Sequence, residues 1–239
     1  MQIEDSVALV TGANRGIGRA FAEELLRRGA RRVYAAARRP EAVDLPGVTP
    51  LQLDVTDPAQ VAAAAEAASD TTLLVNNAGI STYAKLVTGD LTDIRREMDT
   101  NYYGSLAMVR AFAPHLARNG GGAVLNVLSV MAWLGYEHSN GYGASKAALW
   151  ALTNGIRVEL TEQGTQVTGL LLASTDTDMM AGIDVPKNRP EDVARFALDG
   201  VAAGALEVLA DEISVGLKAS LAQDPAVLYP QAVGARPPA

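Results

Sequence analysis

The chain has 239 residues, of which 49% are hydrophobic, and a formal net charge of −7 at pH 7. An acidic chain of this kind is not expected to bind nucleic acid. The sequence has no cysteine and only two histidines, which excludes disulfides, thiolate metal sites and histidine-rich metal centres. No apolar run approaches the roughly 20 residues of a membrane span, and no signal-peptide pattern is present. A cytoplasmic protein without a metal is therefore expected.

Short apolar runs that predict buried strands alternate along the chain with stretches that predict helices. Near-continuous apolar strands are typical of parallel sheets covered on both faces. The alternation predicts a doubly wound parallel α/β sheet with right-handed crossovers. One domain is predicted over residues 1–239, with a loose, proline-rich tail at about 230–239. The predicted strands are Val7–Val10, Val33–Ala37, Leu51–Asp54, Leu73–Asn76, Ala123–Ser129, Gln166–Leu172 and Leu206–Ala210.

A glycine-rich turn follows the first predicted strand and opens the first predicted helix. Residues 11–18 read Thr-Gly-Ala-Asn-Arg-Gly-Ile-Gly, and apolar residues repeat at helical spacing from Ile17 onward. Glycines let a backbone turn tightly and approach a ligand closely. The helix N-terminus then offers free N–H groups and partial positive charge to a pyrophosphate. Strand, glycines and helix in this order predict a dinucleotide site, whereas glycines alone would also fit an ordinary turn.

A tyrosine and a lysine lie four residues apart on a predicted helix, as Tyr142 and Lys146, with Ser129 thirteen residues upstream of the tyrosine. Residues at this spacing share one helix face. An ammonium beside a phenol predicts a lowered tyrosine pKa, which would allow proton exchange near neutral pH. Because such pairs also occur by chance, the functional interpretation depends on the other motifs.

Taken together, these motifs resemble the short-chain dehydrogenase/reductase family from about residue 6 to about residue 180, and more loosely beyond. The further landmarks are Asp54-Val55, the Asn-Asn-Ala-Gly run at 76–79, and Asn101. The resemblance implies a Rossmann-type sheet of seven strands in the order 3-2-1-4-5-6-7, with the site at the carboxyl ends of the strands. It also implies a homodimer or homotetramer. Leu172-Ala173 replaces the family's usual Pro-Gly, which puts the local turn in doubt.

The resemblance implies a role for each catalytic residue. Tyr142 would exchange a proton with a carbonyl oxygen or alcohol, and Ser129 would hydrogen-bond the same oxygen. Lys146 would hold the nicotinamide ribose, and Asn101 would keep a water in place for proton relay. The alternatives are a strand cap for Ser129 and a surface amide for Asn101. The implied cofactor-binding residues are Gly12, Asn14, Arg15, Gly16, Ile17, Gly18, Arg38, Asp54, Val55, Asn77, Ala78, Gly79, Tyr142, Lys146, Thr175 and Thr177.

The end of the second predicted strand favours NADP over NAD. Enzymes for NAD usually place an acid about 20 residues beyond the glycines, but here the strand ends Ala-Arg-Arg at 37–39. Arg38 can bind a ribose 2′-phosphate. Arg15 lies within the glycine-rich turn, where similar NADP-dependent members carry a basic residue. The alternative is that both arginines are ordinary solvated charges.

The predicted substrate pocket is mostly apolar and has no obvious clamp for a carboxylate or phosphate. It favours an uncharged, hydrophobic ketone or aldehyde, or the matching alcohol. Methionine and tryptophan are as often packing residues as substrate contacts. Two other functions stay open: a non-redox reaction such as epimerisation or dehydration on the same scaffold, and a non-catalytic NADP-binding sensor. The predicted pocket residues are Val130, Met131, Trp133, Tyr136, His138, Met179, Met180 and Ile183.

Overall fold

A computed structural model describes residues 1–234 and confirms the predicted α/β architecture. Within these residues, seven parallel strands form one sheet in the order β3-β2-β1-β4-β5-β6-β7. The strands are β1 (Val7–Thr11), β2 (Arg32–Ala37), β3 (Thr49–Gln52), β4 (Leu73–Asn76), β5 (Ala123–Val127), β6 (Gln166–Leu171) and β7 (Glu207–Leu209).

Helices connect the strands and cover both faces of the sheet. The helices are α1 (Gly16–Arg27), α2 (Pro58–Ala67), α3 (Leu91–Met98), α4 (Ser105–Arg118), α5 (Asn140–Glu159), α6 (Pro190–Ala202), α7 (Glu212–Ser220), α8 (Pro225–Leu228) and α9 (Pro230–Gly234). Among the helices described, none is long and apolar enough to cross a bilayer. Part of the tail predicted at about 230–239 forms α9, and residues 235–239 lie outside the described part of the chain.

The core consists of two apolar layers, one on each side of the sheet. Successive residues of β1 point to opposite faces, so Val10 packs in one layer and Leu9 in the other, and both are fully buried. Phe21 of α1 fills the first layer and Phe112 of α4 fills the second. This double cover explains why the strand residues are apolar without alternation.

Two strands, β3 and β5, differ from the predictions by two residues at a boundary, and the other strands differ by at most one residue at either end. The edge strand β3 pairs from Thr49, two residues earlier than expected, and its pairing with β2 ends where β2 itself ends at Ala37. A proline, Pro50, is tolerated there because an edge strand needs fewer ladder hydrogen bonds. Strand β5 ends at Val127, and Ser129 lies just beyond it, at the N-cap of a 3₁₀ turn over Val130–Ala132.

Candidate active site

The tyrosine and lysine lie on the first two turns of α5, on the face directed at the sheet. Lys146 is buried, and its Nζ donates a hydrogen bond to the carbonyl oxygen of Val127 at 2.7 Å. The same Nζ lies 5.6 Å from the centre of the half-buried Tyr142 ring. The predicted sharing of one helix face is therefore present, and the end of β5 fixes the lysine.

Burial determines how the two groups ionise. Loss of water around the phenol raises the pKa of Tyr142 to about 12, although a hydrogen bond with the Ser129 side chain acts in the opposite direction. Burial also lowers the pKa of Lys146 to about 8. The expected net lowering of the tyrosine pKa is not found, because desolvation outweighs the groups that favour the phenolate. Tyr142 therefore carries its proton at neutral pH.

Ser129 meets the tyrosine from the end of β5. The residue is buried, and its hydroxyl oxygen accepts a hydrogen bond from the backbone N–H of Met131 at 3.1 Å. Ser129 thus caps a turn, which was the structural alternative, and also places its hydroxyl beside the Tyr142 phenol. The two roles are compatible because a hydroxyl can accept one hydrogen bond while donating another.

Asn101 is fully buried, which rules out the alternative of a surface amide. It lies in a π-helical stretch, Asp99–Gly104, between α3 and α4, and such stretches are frequent at functional sites. Its amide donates to the Ile80 carbonyl at 3.0 Å and to the Ser145 hydroxyl at 2.8 Å, and its oxygen accepts from the Ile80 N–H at 2.9 Å. Asn101 therefore ties the segment after β4 to the catalytic helix. Its role in a proton relay stays a prediction.

The glycine-rich turn has a shape that only glycine permits at several positions. Gly12 and Gly16 adopt left-handed φ angles of 67° and 55°. A Cβ on Gly18 would lie 2.2 Å from the carbonyl oxygen of Gly12, so this glycine is required by space. The result is an open cradle of backbone at the N-terminus of α1, which fits the pyrophosphate of a dinucleotide.

The Asn-Asn-Ala-Gly run supports this cradle from the neighbouring strand. The side-chain amide of Asn77 donates to the Thr11 carbonyl at 2.9 Å. The Thr11 hydroxyl accepts from the N–H groups of Asn77 and Ala78 at 3.0 and 2.9 Å. A Cβ on Gly79 would lie 3.1 Å from Asn101 Oδ1, so this glycine lets the cofactor side and the catalytic side approach each other.

The two arginines predicted to bind phosphate differ in their surroundings. Arg15 forms an exposed ion pair with Asp178, from the segment after β6. Arg38 is exposed beyond the end of β2 and makes no ion pair within residues 1–234. Asp54 accepts from the backbone N–H and the hydroxyl of Thr56 through one carboxylate oxygen. Arg38 is therefore the arginine more available to a ligand.

The unusual Leu172-Ala173 pair follows β6 directly and lies outside regular secondary structure. Ala173 has no left-handed φ, so glycine is not required there. Its N–H donates at 2.8 Å to Asp211, which also accepts from the side-chain amide of Asn188 at 2.7 Å. The backbone at Ala173 is thus held by Asp211. Beyond this pair, Thr177 packs on the glycine-rich turn, with its methyl 3.1 Å from a Cβ built on Gly16.

The predicted pocket residues differ in burial and in the residues they pack against. Trp133 packs edge-on against Trp150, with ring centres 6.2 Å apart, and Lys218 lies 5.0 Å above its ring, so this tryptophan belongs to a packing cluster. Tyr136 and His138 are exposed, and their ring centres lie 6.2 Å apart. The buried Val130 and the partly or fully exposed Met131, Met179, Met180 and Ile183 complete the set. Their contact with substrate stays a prediction.

Two residues near the tyrosine were not identified from the sequence. Tyr83 has a left-handed φ of 58°, which is rare for an aromatic residue, and its hydroxyl donates to the carbonyl oxygen of Met179. Glu97 of α3 is fully buried beside the start of α5. No motif marks either position. Their contacts arise only in the folded chain, where the segment after β4 packs against α5 and also against the segment after β6.

The comparisons with known proteins agree with this geometry. The short chain dehydrogenase family model matches residues 6–188. An NADPH-dependent 1-acyldihydroxyacetone phosphate reductase from Schizosaccharomyces pombe is 34% identical over 186 residues, which are 74% of this chain and 62% of that protein. A sorbitol dehydrogenase from Cereibacter sphaeroides is 34% identical over 194 residues, which are 77% of this chain and 76% of that protein.

One solved structure is similar over almost the whole chain. It is a short chain dehydrogenase from Burkholderia cenocepacia in complex with NADP, with a TM-score of 0.92 and 40% identity, covering 99% of this chain and 100% of that one. The chain belongs to the short-chain dehydrogenase/reductase family. It is an oxidoreductase of that family, as its sequence motifs predicted.

Proposed function

We propose that this protein is an NADPH-dependent carbonyl reductase that acts on an uncharged, hydrophobic ketone or aldehyde. The observation that carries the proposal is the convergence of a protonated Tyr142, the Ser129 hydroxyl and the buried Lys146 beside a glycine-lined cradle. Reduction requires an acid that is protonated and within reach of the carbonyl oxygen, and the Tyr142 phenol beside Ser129 meets both conditions at neutral pH.

The cofactor assigned from the sequence, NADP(H), is supported by the surroundings of the arginines. The end of β2 has no carboxylate to repel a 2′-phosphate, and Arg38 is exposed there without an ion pair among the described residues. The structural relative from Burkholderia binds NADP, and the Schizosaccharomyces relative is named as NADPH-dependent. The glycine-rich turn would hold the pyrophosphate, Asp54 and Val55 the adenine, and Lys146 the nicotinamide ribose.

In this mechanism each catalytic side chain has a task that its position allows. NADPH supplies a hydride when it is bound. The Ser129 hydroxyl donates a hydrogen bond to the carbonyl oxygen of the substrate and orients it. Tyr142 gives its proton to the same oxygen. The resulting phenolate lies next to the Lys146 ammonium, whose charge stabilises it until a proton returns. Asn101 holds the catalytic helix against the segment after β4, which fixes these positions.

The substrate class is inferred from the charges around the site. Among the predicted pocket residues only His138 can become charged, and it is exposed. Nearby, Lys85 pairs with Glu137 at 3.1 Å, so these two charges neutralise each other. A substrate with a carboxylate or phosphate would find no free cation among these side chains. An uncharged carbonyl compound fits this arrangement better.

We also propose that the protein, acting as one domain over residues 1–239, forms a homodimer or homotetramer through α4 and α5. An open groove between α2 and the start of α4 is lined mainly by small or apolar residues together with Arg110 and the exposed Tyr103, and Val158 of α5 is 76% exposed. The alanines of α5 permit close packing of two helices. Light scattering coupled to size-exclusion chromatography tests this, and a monomer at micromolar concentration would contradict it.

The reaction is tested by following the near-ultraviolet absorbance of NADPH with a panel of ketones, aldehydes and sugars, in parallel with NADH. We expect consumption of NADPH with hydrophobic carbonyl compounds and little with charged ones. Tight binding of NADPH with no consumption across the panel would instead favour a sensor. Conversion of a substrate without net consumption of NADPH would favour a non-redox reaction.

A further inference from the structure

Glu97 is a carboxylate buried without full hydrogen bonding, close to the catalytic tyrosine. It is 0% exposed. Its Oε1 accepts from the backbone N–H of Thr82 at 2.6 Å and from the Thr82 hydroxyl at 2.9 Å. Its Oε2 is buried and has no hydrogen-bond partner within residues 1–234. Burying a carboxylate with an unpartnered oxygen carries an unfavourable desolvation free energy, which an apolar side chain in the same space would avoid.

The unpartnered oxygen faces the first turn of α5. A Cβ on Gly141 would lie 2.4 Å from Glu97 Oε2, so the carboxylate occupies the space that any larger residue would need. Gly141 in turn donates its N–H to the carbonyl oxygen of Ala84 at 3.1 Å. Glu97 is therefore packed between the Thr82–Ala84 segment and the residue that precedes Tyr142. The positive end of the α5 dipole partly compensates its charge.

We propose that Glu97 is a positioning residue for Tyr142: it locks the Thr82–Ala84 segment against the start of α5 and places its carboxyl group against the helical turn that carries the phenol. The proposal rests on the proposed function, since it assumes that Tyr142 is the proton donor. Glu97 does not touch the substrate, because no part of it reaches the surface. It acts only through the tyrosine.

The groups that face Tyr142 make the electrical part of this role specific. Burial is the largest influence and raises the pKa of Tyr142, and the charges of Glu97 from α3 and of Tyr83 from the segment after β4 act in the same direction. The Ser129 hydroxyl, from the end of β5, acts against them. Lys146 is the cation on the same helix. A negative Glu97 thus disfavours loss of the proton that reduction uses.

Glu97→Gln tests the charge because it keeps the size and the oxygen that accepts from Thr82. Without the negative charge, Tyr142 should ionise at lower pH. We expect the ratio of variant to wild-type kcat/KM for ketone reduction to stay level at neutral pH and to fall only in the alkaline range, as the pH approaches the pKa of Tyr142, while NADPH binding measured by fluorescence is unchanged. Thr82→Val is the matched control, because it loosens the same segment without changing charge and should give a ratio that does not vary with pH. Parallel pH profiles for Glu97→Gln and wild type would overturn the electrical role.

Gly141→Ala tests the spacing because the new methyl group would collide with Glu97 Oε2. A displacement of the catalytic group on the order of 1 Å costs about a hundredfold in rate. We therefore expect Gly141→Ala to lose activity and melting temperature while retaining NADPH binding. Adding Glu97→Ala should relieve the collision and restore part of both. If the losses caused by the two single substitutions simply add in the double variant, for activity and for melting temperature, the Oε2 contact does not set the spacing.

The melting temperatures separate failure of this inference from failure of the proposed function. If no carbonyl compound is reduced by the wild type, the proposed function fails. The coupling between positions 97 and 141 in melting temperature still shows whether Glu97 fixes the start of α5. Additive effects there would overturn the positioning role even in an active enzyme.

Discussion

The glycine-rich turn and the substrate-side segments lie on the same edge of the sheet but are constrained very differently. Hydrogen bonds between side-chain and backbone groups tie Thr11 to Asn77 and Ala78, and Gly18 leaves no room for a methyl group. Across the site, Tyr136 and Met179 are 58% and 38% exposed. The first region accepts one residue type at several positions, whereas the second can exchange side chains without disturbing the fold. We therefore expect cofactor binding to depend on the conformation of the backbone, and substrate specificity to depend on exposed side chains.

The largest effect is expected where the two regions meet, at the tyrosine. Tyr142→Phe removes the proton donor and keeps the ring. We expect kcat for carbonyl reduction to fall by ~10²–10⁴-fold, the usual contribution of a well-placed acid. NADPH binding, measured by fluorescence titration, should be unchanged. Retention of more than about a tenth of the wild-type turnover would show that another group is the acid.

Lys146 couples the two regions through its charge. Burial lowers its pKa to about 8, and a bound cofactor is expected to prefer the ammonium. NADPH affinity should therefore be greatest below this pKa, fall by at most about tenfold per pH unit above it, and level off above the higher pKa that the lysine has in the complex. Isothermal titration across this pH range checks the slope. Lys146→Ala should bind more weakly and lose the slope, and a slope unchanged in the variant would assign it to another group.

Arg38 should account for the choice of NADPH over NADH. Charge-assisted hydrogen bonds contribute about 1.5–3 kcal/mol, so Arg38→Ala is expected to weaken NADPH by roughly tenfold to a hundredfold and to leave NADH nearly unchanged. Arg15→Ala is the comparison, and its effect should be smaller because Arg15 is paired with Asp178. Titration of both cofactors measures this. Equal losses for NADPH and NADH in Arg38→Ala would indicate a structural role instead.

The rigidity of the turn can be tested with two glycines. Gly18→Ala should lower the free energy of unfolding by about 1–3 kcal/mol, as overpacking does, because its methyl group would meet the Gly12 carbonyl. Gly216→Ala, on an exposed position of α7 with open space around it, should instead raise it by up to about 1 kcal/mol through helix propensity. Urea unfolding measures both. Similar changes of the same sign would refute the steric argument.

The smallest effect on stability is expected on the substrate side. Tyr136→Ala removes an exposed ring and should change the free energy of unfolding by less than about 0.5 kcal/mol. If Tyr136 contacts the substrate, KM for bulky ketones should rise while NADPH binding is unchanged. Unaltered KM values across a panel of ketones would remove Tyr136 from the pocket.

The same division explains what could be predicted from the sequence. The family resemblance rested on motifs such as the glycine-rich turn and Tyr142 with Lys146, which depend on backbone sterics and helical spacing and are therefore local, and the strand order was implied by that resemblance. The raised pKa of Tyr142 did not, since burial is a property of the folded chain. The role of Glu97 was not predicted either, because a glutamate on the short helix α3 is expected from the sequence to be a solvated charge, and its burial depends on the packing of the folded chain. The packing of Trp133 against Trp150 was not predicted either, and the place of Trp133 in the pocket stays a prediction.

Hydride transfer coupled to protonation by Tyr142 is the central claim, and isotope transfer tests it most directly. The protein would be given NADPH deuterated at the transferable position of the nicotinamide, together with a ketone that it consumes, and the product would be examined by mass spectrometry. We expect an alcohol with one deuterium on the former carbonyl carbon, formed by the wild type and not by Tyr142→Phe. A converted substrate that contains no deuterium, with the label still in the cofactor, would contradict the assignment as a reductase.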